Sequence, residues 1–336
     1  MPLSTEPIPH PSATDARGRA VNYMRLSVTD RCNLRCRYCV CEERPFIPHQ
    51  DILRYEELME LMALAPRLGI SKVRLTGGEP FARKDFAGFV EAALLTHPEL
   101  DIRLTTNATL MAPHLPRLAA AGLKSVNISL DTLDPAKFKD ITGRDFFGRV
   151  RAAIDAALAA GLRVKVNTVA ARGVNDDELP AFLAFAAEHR VQWRFIELMP
   201  MGGCWGGDIW PAADILAEAG RLATLTPVAR NAHSGPAEVF AIAGGLGEIG
   251  VISPVSNHFC NSCNRVRITS DGHLRTCLFS DVQYRLRPAL RHPALGPDAV
   301  ERIIRAALVH KPLGHELLAA RKAARVCRSA MSSIGG

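Results

Sequence analysis

Two groups of closely spaced cysteines are the residues of this chain best suited to chemistry. Cys32, Cys36 and Cys39 follow the spacing Cys-x3-Cys-x2-Cys. Three thiolates can hold three irons of a [4Fe–4S] cluster and leave one iron open to a ligand, whereas a fourth thiolate would favour plain electron transfer. Zinc is the alternative, but its ligands usually come as two Cys-x2-Cys pairs. The asymmetric spacing therefore favours a cluster with one open iron.

The second group is Cys260, Cys263 and Cys277, with the spacing Cys-x2-Cys-x13-Cys. A zinc ribbon completed by Cys204, Cys327 or His258 is its alternative. Arg265 and Arg267 follow soon after, and strand alternation would put both on one face. Two guanidiniums beside an open iron would suit a phosphate-bearing substrate, because their planar donors match phosphate oxygens. Two solvated surface arginines are the other interpretation.

Composition limits the kind of protein that carries these cysteines. The chain has 336 residues, of which 48% are hydrophobic and 22% charged, as in ordinary globular proteins. Its nine cysteines, an odd number, do not support a secretory disulfide framework. The net charge of +7 has no Lys/Arg block, which leaves an anionic small substrate or a merely basic surface rather than nucleic acid. Without an apolar run of about 18 residues, we expect no membrane span and a cytoplasmic location.

Strand-like runs alternate with helical patterns through the first two-thirds of the chain. The predicted strands are Tyr23–Thr29, Lys72–Thr76, Asp101–Thr106, Ser125–Leu130, Arg163–Val169 and Gln192–Leu198. The predicted helices are Tyr55–Leu68, Asp85–Leu95, Pro113–Ala121, Phe147–Ala160 and Glu178–His189. Gly69, Gly122 and Gly161 stand just past three of them, where glycine often ends a helix. The pattern predicts an α/β fold with six parallel βα units, as an open or partial barrel or a doubly wound sheet.

The regular alternation ends after Met199. The sequence then predicts a helix at Ala212–Ala219, strands between Val239 and Val251, and a helix over Pro297–Ala324 that breaks at Pro312. Residues 1–20 are rich in Pro, Ser and Thr and lack the pattern of a secretory signal. We therefore expect a flexible tail at residues 1–20, a barrel domain at 21–230 and a C-terminal domain at 231–336 that carries the second cysteine group.

The first triplet, together with Tyr38, resembles the signature of radical S-adenosylmethionine (SAM) enzymes. In that family the open iron binds the methionine part of SAM, and reduction yields a 5′-deoxyadenosyl radical. Polar residues also recur where the predicted strands end, which is where the active sites of βα barrels lie. The run Thr76-Gly77-Gly78-Glu79-Pro80 is similar to the family's contact with the methionine amino group, and implies that Glu79 accepts from it. The resemblance implies a partial (βα)6 TIM-like barrel.

Longer stretches resemble the GTP-cyclising branch of this superfamily, which acts in molybdenum cofactor biosynthesis. They are residues 25–32, 74–80, 195–202 and 253–267, and the terminal pair Gly335-Gly336. The resemblance runs from about Tyr23 to the last residue. It departs at Val40-Cys41, where members usually have Met-Pro, so competition between Cys41 and Cys39 for the cluster stays open.

This resemblance implies a role for each matching residue. Two [4Fe–4S] clusters would be held by Cys32, Cys36 and Cys39, and by Cys260, Cys263 and Cys277. SAM would contact Tyr38, Gly78, Ser129 and Met199. GTP would be bound by Arg25, Arg74, Thr105, Lys165, Arg265 and Arg267, with Lys72 and Arg194 as further candidates. Gly335 and Gly336 would enter the active site and take part in catalysis.

The implied reaction makes the chain a radical SAM lyase. Hydrogen abstraction from C3′ of GTP, attack of the C3′ radical on C8, and uptake of one electron and one proton would give 3′,8-cyclo-7,8-dihydro-GTP. The implied partners are a flavodoxin- or ferredoxin-like electron donor and the next enzyme of the pathway, cyclic pyranopterin monophosphate synthase. The identity of the reductant and a homodimer stay open. The main alternative is a radical SAM enzyme that modifies peptides with an auxiliary cluster, although such enzymes usually carry more C-terminal cysteines than three.

Overall fold

The computed structural model describes residues 13–39, 45–201, 208–229 and 235–320, together with Cys327, Met331 and Ile334. Its strands are β1 (Tyr23–Ser27), β2 (Lys72–Thr76), β3 (Asp101–Thr106), β4 (Ser125–Ser129), β5 (Arg163–Arg172), β6 (Val191–Glu197), β7 (Asp208–Ile209), β8 (Leu225–Pro227), β9 (Glu238–Ile242), β10 (Glu248–Ile252), β11 (Arg265–Ile268), β12 (His273–Arg275) and β13 (Tyr284–Arg285).

The helices surround this sheet. They are α1 (Tyr55–Leu64), α2 (Phe86–Thr96), α3 (Leu115–Ala120), α4 (Pro135–Thr142), α5 (Phe147–Ala159), α6 (Leu179–Glu188), α7 (Ala212–Leu222), α8 (Arg287–Arg291), α9 (Gly296–Val309) and α10 (Gly314–Ala320). Short 3₁₀ turns lie at His49–Asp51, Pro66–Leu68, Pro80–Ala82, Ala112–His114, Asp176–Glu178 and Cys260–Ser262.

The sheet is an open barrel whose centre is the predicted set of six parallel strands. Strands β1 to β6 pair in sequence order, β11 joins β1 and β10 joins β6, all in parallel. Antiparallel strands then extend both edges, with β12 and β13 on one side and β9 and β8 on the other. In the described part of the chain the strand order ends at β13 and β8, so the ring stays open there. The expected partial (βα)6 barrel is confirmed.

Local sequence explains most of these elements, and α4 and α8 are helices that it failed to predict. Gly69, Gly122 and Gly161 adopt φ of +70°, +100° and +73°, as expected of glycines that end helices. Helix α4 starts where the Asp134 carboxylate accepts a hydrogen bond from Ala136 N at 2.6 Å. An aspartate before a proline is a good helix start, but the apolar residues of this short helix are too few to reveal its period.

The barrel strands bury one face against the helices and turn the other inward. On β3, Ile102, Leu104 and Thr106 are buried, whereas Asp101, Arg103 and Thr105 are half-buried. This alternation follows from the period of two along a strand. The apolar core therefore lies between strands and helices, and the inner face of the barrel is left to polar residues.

The chain packs against the barrel earlier than the sequence suggests. Residues 13–20 fall in the expected flexible tail, yet Ala13 N donates to Leu68 O at 3.0 Å and Val21 N donates to Ala13 O at 2.9 Å. Asp15 and Arg19 are buried as well. The boundary expected at residue 20 is therefore too late, because two buried charges and a backbone bridge fix this segment. Residues 1–12 lie outside the described residues.

The C-terminal residues extend the same sheet, since β10 pairs with β6 and β11 with β1. A domain division at residue 230 stays a prediction. None of the described helices combines the length and the apolar character that crossing a membrane requires.

Candidate active site

Both cysteine triplets line one cavity of about 360 Å³ inside the open barrel. The wall includes Cys32, Cys36, Cys39, Cys260, Cys263 and Cys277. The first triplet follows β1, and the second flanks β11 and β12, so residues more than 200 positions apart meet here because β11 pairs with β1. The tertiary structure thus joins two groups that the sequence presents separately.

The first triplet lies on a loop that rests on the end of α4. Arg35 N donates to Thr142 O at 2.8 Å, and Arg37 N donates to Ile141 O at 3.0 Å. The sulfur of Cys32 lies 3.4 Å from Leu34 N and 3.7 Å from Asn107 Nδ2, both positioned to donate to it. Burial raises the pKa of the Cys32 thiol, and these two donors partly offset that rise because they favour the thiolate, the form that binds iron. The described donor set therefore fits an iron–sulfur cluster.

The two glycines after β2 let this loop approach closely. A Cβ on Gly77 would lie 2.6 Å from Thr29 O, and one on Gly78 would lie 2.4 Å from Arg31 O. Both contacts are with backbone, which cannot give way as a flexible side chain would. Gly78 also lines the cavity. The Gly-Gly run is thus required for backbone packing between β2 and the cysteine loop.

Glu79, in the turn after β2, is buried and hydrogen-bonded to the end of β3. Its side chain is fully buried, and its carboxylate accepts hydrogen bonds from Thr106 Oγ1 at 2.7 Å, Asn107 N at 2.6 Å and Phe81 N at 3.0 Å. Burial raises the pKa of this carboxyl to about 7. These hydrogen bonds join the ends of β2 and β3, and a contact of Glu79 with the amino group of SAM stays a prediction.

The residues expected to contact SAM line the same cavity as the first triplet. They are Tyr38, Gly78, Ser129 and Met199. Tyr38 donates its hydroxyl hydrogen to Asp131 at 2.8 Å, and Asp131 also accepts from Val169 N at 2.8 Å. Burial raises the pKa of Asp131 to about 6. Asp131 therefore holds the aromatic ring of the cysteine loop over the ends of β4 and β5.

The inner face of the barrel is strongly cationic. Ten cationic side chains line the cavity: Arg19, Arg25, Lys72, Arg74, Arg103, Lys165, Arg194, Arg265, Arg267 and Lys311. Only two acidic side chains of the described residues do so, Asp131 and Glu197. Arg267, Arg25, Arg74 and Arg103 are register neighbours on four adjacent strands. Neighbouring strands lie about 4.8 Å apart, so these like charges form a row that an anion would stabilise.

Hydrogen bonds hold several of these cations in place. Arg74 donates to the Tyr23 hydroxyl, to Leu104 O at 3.0 Å and to Thr105 Oγ1 at 3.2 Å. Arg194 donates to Asn167 Oδ1 at 2.6 Å. The predicted substrate residue Thr105 therefore contacts Arg74 in the same wall. These side chains are oriented before any ligand arrives.

Burial and the crowding of like charge shift the pKa values of several side chains in this wall. Burial, followed by Arg194, lowers the pKa of Lys165 to about 7. Burial also lowers the pKa of Arg194 to about 9 and that of Arg25 to about 10. For Tyr23, burial alone would raise the pKa, but Arg74 and Arg25 lower it to about 7. Each shift has the direction expected of a site that lacks its anion.

Four residues of this wall were missed from the sequence, and one of them, Arg19, falls in the segment expected to be a flexible tail. Arg103 lies two residues before Thr105 on β3, so the same alternation could have found it. Tyr23 starts β1 and resembles any aromatic strand residue. Lys311 follows α9 with no motif around it, and nothing in its local sequence predicts its position.

The second triplet meets at one corner of the cavity. Lys311 Nζ lies 3.7 Å from the Cys263 sulfur. Burial would raise the pKa of Cys263, but Arg265 and Lys311 lower it to about 7. A Cβ on Gly314 would lie 3.3 Å from the Cys277 sulfur and 3.5 Å from the Cys260 sulfur. Three thiols beside two cations fit a group that binds thiolates.

The described cysteines do not gather around a single ion. Among the described residues, no three His, Cys, Asp or Glu side chains could hold one metal ion together. Cys327 instead lies between Arg275 Nη2 at 3.0 Å and Asp281 Oδ1 at 3.1 Å, and His258 faces Pro254 O at 2.9 Å. A zinc ion would need all its ligands about 2.3 Å from one point, whereas a cluster offers a separate iron to each thiolate. Cys41 and Cys204 lie outside the described residues.

The expected catalytic tail, Gly335 and Gly336, also lies outside the described residues. Two nearby residues, Met331 and Ile334, are described. Met331 lines the cavity, and Ile334 is 1% exposed. Ile334 belongs to a small apolar cluster with Met201, Phe279 and Cys327, against which Met199 and Cys277 pack. The role of the two glycines stays a prediction.

Two family models match successive parts of the chain. Residues 26–186 match the model of the radical SAM superfamily. Residues 191–317 match a second model, described as Molybdenum Cofactor Synthesis C. The first match covers β1 to α6 and the first triplet, and the second covers β6 to α10 and the second triplet.

Curated relatives match nearly the whole chain. A GTP 3′,8-cyclase from Rhodobacter capsulatus is 45% identical over 309 residues, which cover 90% of this chain and 91% of the relative. A GTP 3′,8-cyclase from Moorella thermoacetica is 43% identical over 326 residues, 96% of this chain and 99% of the relative. A third, from Thermodesulfovibrio yellowstonii, is 42% identical over 89% of this chain and 94% of the relative.

Solved structures support the fold. The crystal structure of Streptococcus suis SuiB bound to S-adenosylmethionine has a TM-score of 0.61 and 14% sequence identity, and the match covers 96% of this chain and 78% of SuiB. At that identity the likeness concerns the arrangement of strands and helices. SuiB bound to its precursor peptide SuiA gives the same TM-score, with 90% of this chain and 74% of SuiB covered.

Proposed function

The chain belongs to the GTP 3′,8-cyclase family of radical SAM enzymes, and from this membership we infer that it converts GTP to 3′,8-cyclo-7,8-dihydro-GTP. This reaction is the first step of molybdenum cofactor biosynthesis. The observation that carries the proposal is one cavity lined by both cysteine triplets and by ten cationic side chains. A triphosphate suits such a wall, whereas the alternative substrate, a peptide, has no general need of it.

As a radical SAM enzyme the chain uses a [4Fe–4S] cluster and SAM. When bound, they supply a 5′-deoxyadenosyl radical that abstracts hydrogen. We propose that Cys32, Cys36 and Cys39 hold the cluster and that Asn107 and the amide of Leu34 donate to the Cys32 sulfur. Gly78 allows the close approach of the loop, and Tyr38, held by Asp131, borders the space for SAM together with Ser129 and Met199.

A second [4Fe–4S] cluster on Cys260, Cys263 and Cys277 is part of the same proposal. Its support is the set of three thiols in one corner of the cavity, with Lys311 and Arg265 lowering the pKa of Cys263. A cluster held there would supply an iron without a protein ligand, to which the guanine base would bind. Cations beside the thiolates offset the negative charge that such a site accumulates.

The row of cations is proposed to bind the triphosphate of GTP. Arg25, Arg74 and Arg267 stand side by side on β1, β2 and β11, and Lys165 and Arg194 border the same space from β5 and β6. Guanidiniums bind phosphate oxygens with two parallel hydrogen bonds, which fixes orientation as well as affinity. Phosphates held there would leave the ribose between the two triplets. Ring closure without transfer to a second substrate would place the enzyme among the lyases.

The electron donor is proposed to be an acidic carrier of flavodoxin or ferredoxin type. Arg31, Arg35 and Arg37 are exposed on the first cysteine loop. Arg31 and Arg35 lie 5.4 and 5.9 Å from the centre of the Phe46 ring, which is 47% exposed. Arg35 also donates to Cys32 O at 2.9 Å, so this patch adjoins a cluster ligand. Positive charge around an exposed ring suits brief docking of a negatively charged partner.

The charge-reversal pair Arg31→Glu and Arg37→Glu tests the electron donor and leaves in place Arg35, whose side chain donates to the cluster ligand Cys32. Turnover supported by a purified acidic flavodoxin should fall at least tenfold, whereas turnover with dithionite should stay unchanged. Arg221→Glu is the matched control. Arg221 is exposed in the last turn of α7. That helix begins beside the strand ends, where Ala212 N donates to Glu197, so its last turn is the end of the helix away from the strand ends. Equal loss in the control, or none in the pair, would contradict this docking face.

Two further parts of the proposal concern the cell. Thiols that must stay reduced to bind iron favour the cytoplasm. The product is proposed to pass to cyclic pyranopterin monophosphate synthase, the next enzyme of the pathway. A homodimer stays a prediction.

The function is tested by following one hydrogen atom. Anaerobically reconstituted enzyme with SAM, dithionite and GTP deuterated at C3′ should give 3′,8-cyclo-7,8-dihydro-GTP and deuterated 5′-deoxyadenosine. Deuterium at the other ribose carbons should not be transferred. Arg267→Ala should weaken GTP binding by about 1.5–3 kcal/mol, the scale of a charge-assisted hydrogen bond. Undeuterated 5′-deoxyadenosine without a GTP-derived product would refute the assignment.

A further inference from the structure

A buried ion pair lies in the N-terminal segment, on residues that were expected to be flexible. The side chains of Arg19 and Asp15 are 5% and 0% exposed. Asp15 Oδ1 accepts from Arg17 N at 2.9 Å and Arg19 N at 3.0 Å, while Oδ2 accepts from Arg19 Nε. Burying two charges is costly unless every donor and acceptor is satisfied. The two terminal nitrogens of Arg19 therefore need acceptors elsewhere.

Those acceptors belong to the second cysteine site. Arg19 Nη1 donates to Cys260 O at 2.8 Å, and Nη2 donates to Lys311 O at 2.8 Å and Pro312 O at 3.3 Å. Gly314 follows Pro312 by two residues. It packs against the sulfurs of Cys260 and Cys277, since a Cβ on it would lie 3.5 and 3.3 Å from them. One guanidinium thus joins the first cysteine of the triplet to the segment that packs against it.

Lys311 reaches the other two cysteines. It is 4% exposed, and its ammonium donates to Arg265 O at 2.7 Å and to Thr276 O. The Cys263 sulfur lies 3.7 Å from the same nitrogen. An ammonium group has three donors, and these three partners use them all. Thr276 is the neighbour of Cys277 in the chain, so the Lys311 side chain contacts the surroundings of both Cys263 and Cys277. The backbone carbonyl of the same lysine accepts a hydrogen bond from Arg19.

We propose that Asp15, Arg19 and Lys311 are positioning residues of the second cluster, so that residues 13–20 form part of that site. The inference rests on the proposed second cluster. The three cysteines come from separate places: Cys260 lies in a 3₁₀ turn, Cys263 directly follows that turn, and Cys277 lies beyond β12. The hydrogen bonds of Arg19 and Lys311 join these places. Cluster ligands need their backbones held closely, because small errors in position lose the bound group.

Arg19→Ala is the first test. The variant should keep the first cluster, so the iron content after anaerobic reconstitution should fall from about eight to about four per chain. SAM cleavage should continue, uncoupled from GTP cyclisation. Arg17→Ala is the matched control from the same turn, because the ion pair of Arg17 with Glu316 is exposed, at 52% and 54%. The control should keep about eight irons.

A second measurement does not depend on the folding of that variant. Thermodynamic coupling is reciprocal, so loss of the second cluster must loosen residues 13–20 if they support it. Hydrogen exchange at the amides of Asp15, Arg19 and Val21 should be at least tenfold faster in the Cys260→Ala/Cys263→Ala/Cys277→Ala variant than in the reconstituted wild type. Amides of α2, far from this site in sequence, serve as the internal reference.

The outcomes separate this inference from the function on which it rests. Arg19→Ala with about eight irons and normal product, or unchanged exchange at residues 13–20, would overturn the network's role. Wild-type enzyme with about four irons and full cyclisation would instead refute the second cluster itself. If Arg19→Ala fails to fold, the exchange measurement alone decides.

Discussion

At the scale of single residues, the structure describes a site prepared for an anion. The pKa of Lys165 is lowered to about 7 by burial and then by Arg194, Arg103 and Arg74. Arg74 donates to Tyr23, and Arg194 to Asn167, so these cations are held in place by neutral partners or by a phenol. A polyanion entering this wall would relieve repulsion among charges that are already oriented, and no reorganisation cost would oppose it.

This residue-scale picture predicts a pH dependence of GTP binding. In the free enzyme Lys165 loses its proton as the pH rises through about 7, whereas bound triphosphate would raise its pKa and restore the proton. GTP binding above pH 7 must therefore take up a proton, and affinity should fall by up to about tenfold per pH unit. Calorimetric titration in buffers with different ionisation enthalpies measures that proton uptake directly.

Two variants separate the groups involved. Lys165→Arg stays charged throughout this range, so its affinity should depend less on pH between about 6 and about 8, one unit either side of the Lys165 pKa of about 7. Tyr23, whose pKa is also about 7, contributes in the same direction by becoming anionic, and Tyr23→Phe isolates that part. Equal slopes for wild type and Lys165→Arg would contradict the role of Lys165.

At the scale of elements, backbone contacts between neighbouring loops set the first cluster site. The loop after β1 packs against the glycines after β2 and against the end of α4. Glu79 and Asp131 join adjacent strand ends through buried carboxylates. Parallel strands bring their carboxyl ends to one edge of the sheet, so each connection there carries part of the site.

Gly78→Ala should disturb this packing. Its Cβ would lie 2.4 Å from Arg31 O, so the cysteine loop must move. We expect a loss of about 1–3 kcal/mol in the free energy of unfolding, as in overpacked sites. SAM binding should weaken at least tenfold, with reduced iron at the first site. Calorimetry, iron analysis and equilibrium dialysis measure these three effects.

Gly88→Ala is the matched control for that substitution. Gly88 lies inside α2, where a Cβ would meet only the Arg117 side chain at 3.7 Å. Alanine in a helix should stabilise by up to about 1 kcal/mol and leave SAM binding intact. If Gly78→Ala binds SAM as well as Gly88→Ala does, then the close approach of the loop is not needed.

At the scale of the whole molecule, described residues from the N-terminal and the C-terminal parts of the chain converge on the second cysteine site. Residues 13–20 reach it through Arg19, and the C-terminal residues reach it through Cys327, Met331 and Ile334. Met201 pairs with Cys327, which Arg275 and Asp281 also contact. Such closure shields a cavity from water, which a radical reaction requires if side reactions are to be avoided.

Removal of Gly335 and Gly336 should therefore affect chemistry rather than folding. Ile334 and Met331 anchor the preceding residues beside the cavity, so the truncated chain keeps its packing. We expect both clusters and SAM cleavage to remain, with cyclised product reduced by about 100-fold, the cost of a misplaced group at a reacting centre. Product is measured anaerobically with GTP and dithionite.

A one-residue extension beyond Gly336 is the companion variant. It should also lower product, because the length of the tail and the position of the terminal carboxylate both change. Normal product from the truncated chain would assign these glycines the role of an ordinary chain end.

The sequence by itself determined the parts whose signal is local. Cys32, Cys36 and Cys39 are read from spacing along one loop, and the six parallel strands from alternation within short runs. The helix-ending glycines, such as Gly69, follow from a backbone conformation that other side chains rarely adopt. These features need no knowledge of distant residues, and so the partial barrel and the cysteine triplets could be predicted.

Only the tertiary structure decided what depends on register and long-range packing. It brought both triplets to one cavity, placed Arg103 beside Arg74 through the pairing of β2 with β3, and turned Glu79 into a buried link between strands. It also joined Arg19 to Lys311, which lie 292 residues apart. Strand register and buried hydrogen bonds arise from the packing of the whole chain, and no short stretch of sequence encodes them.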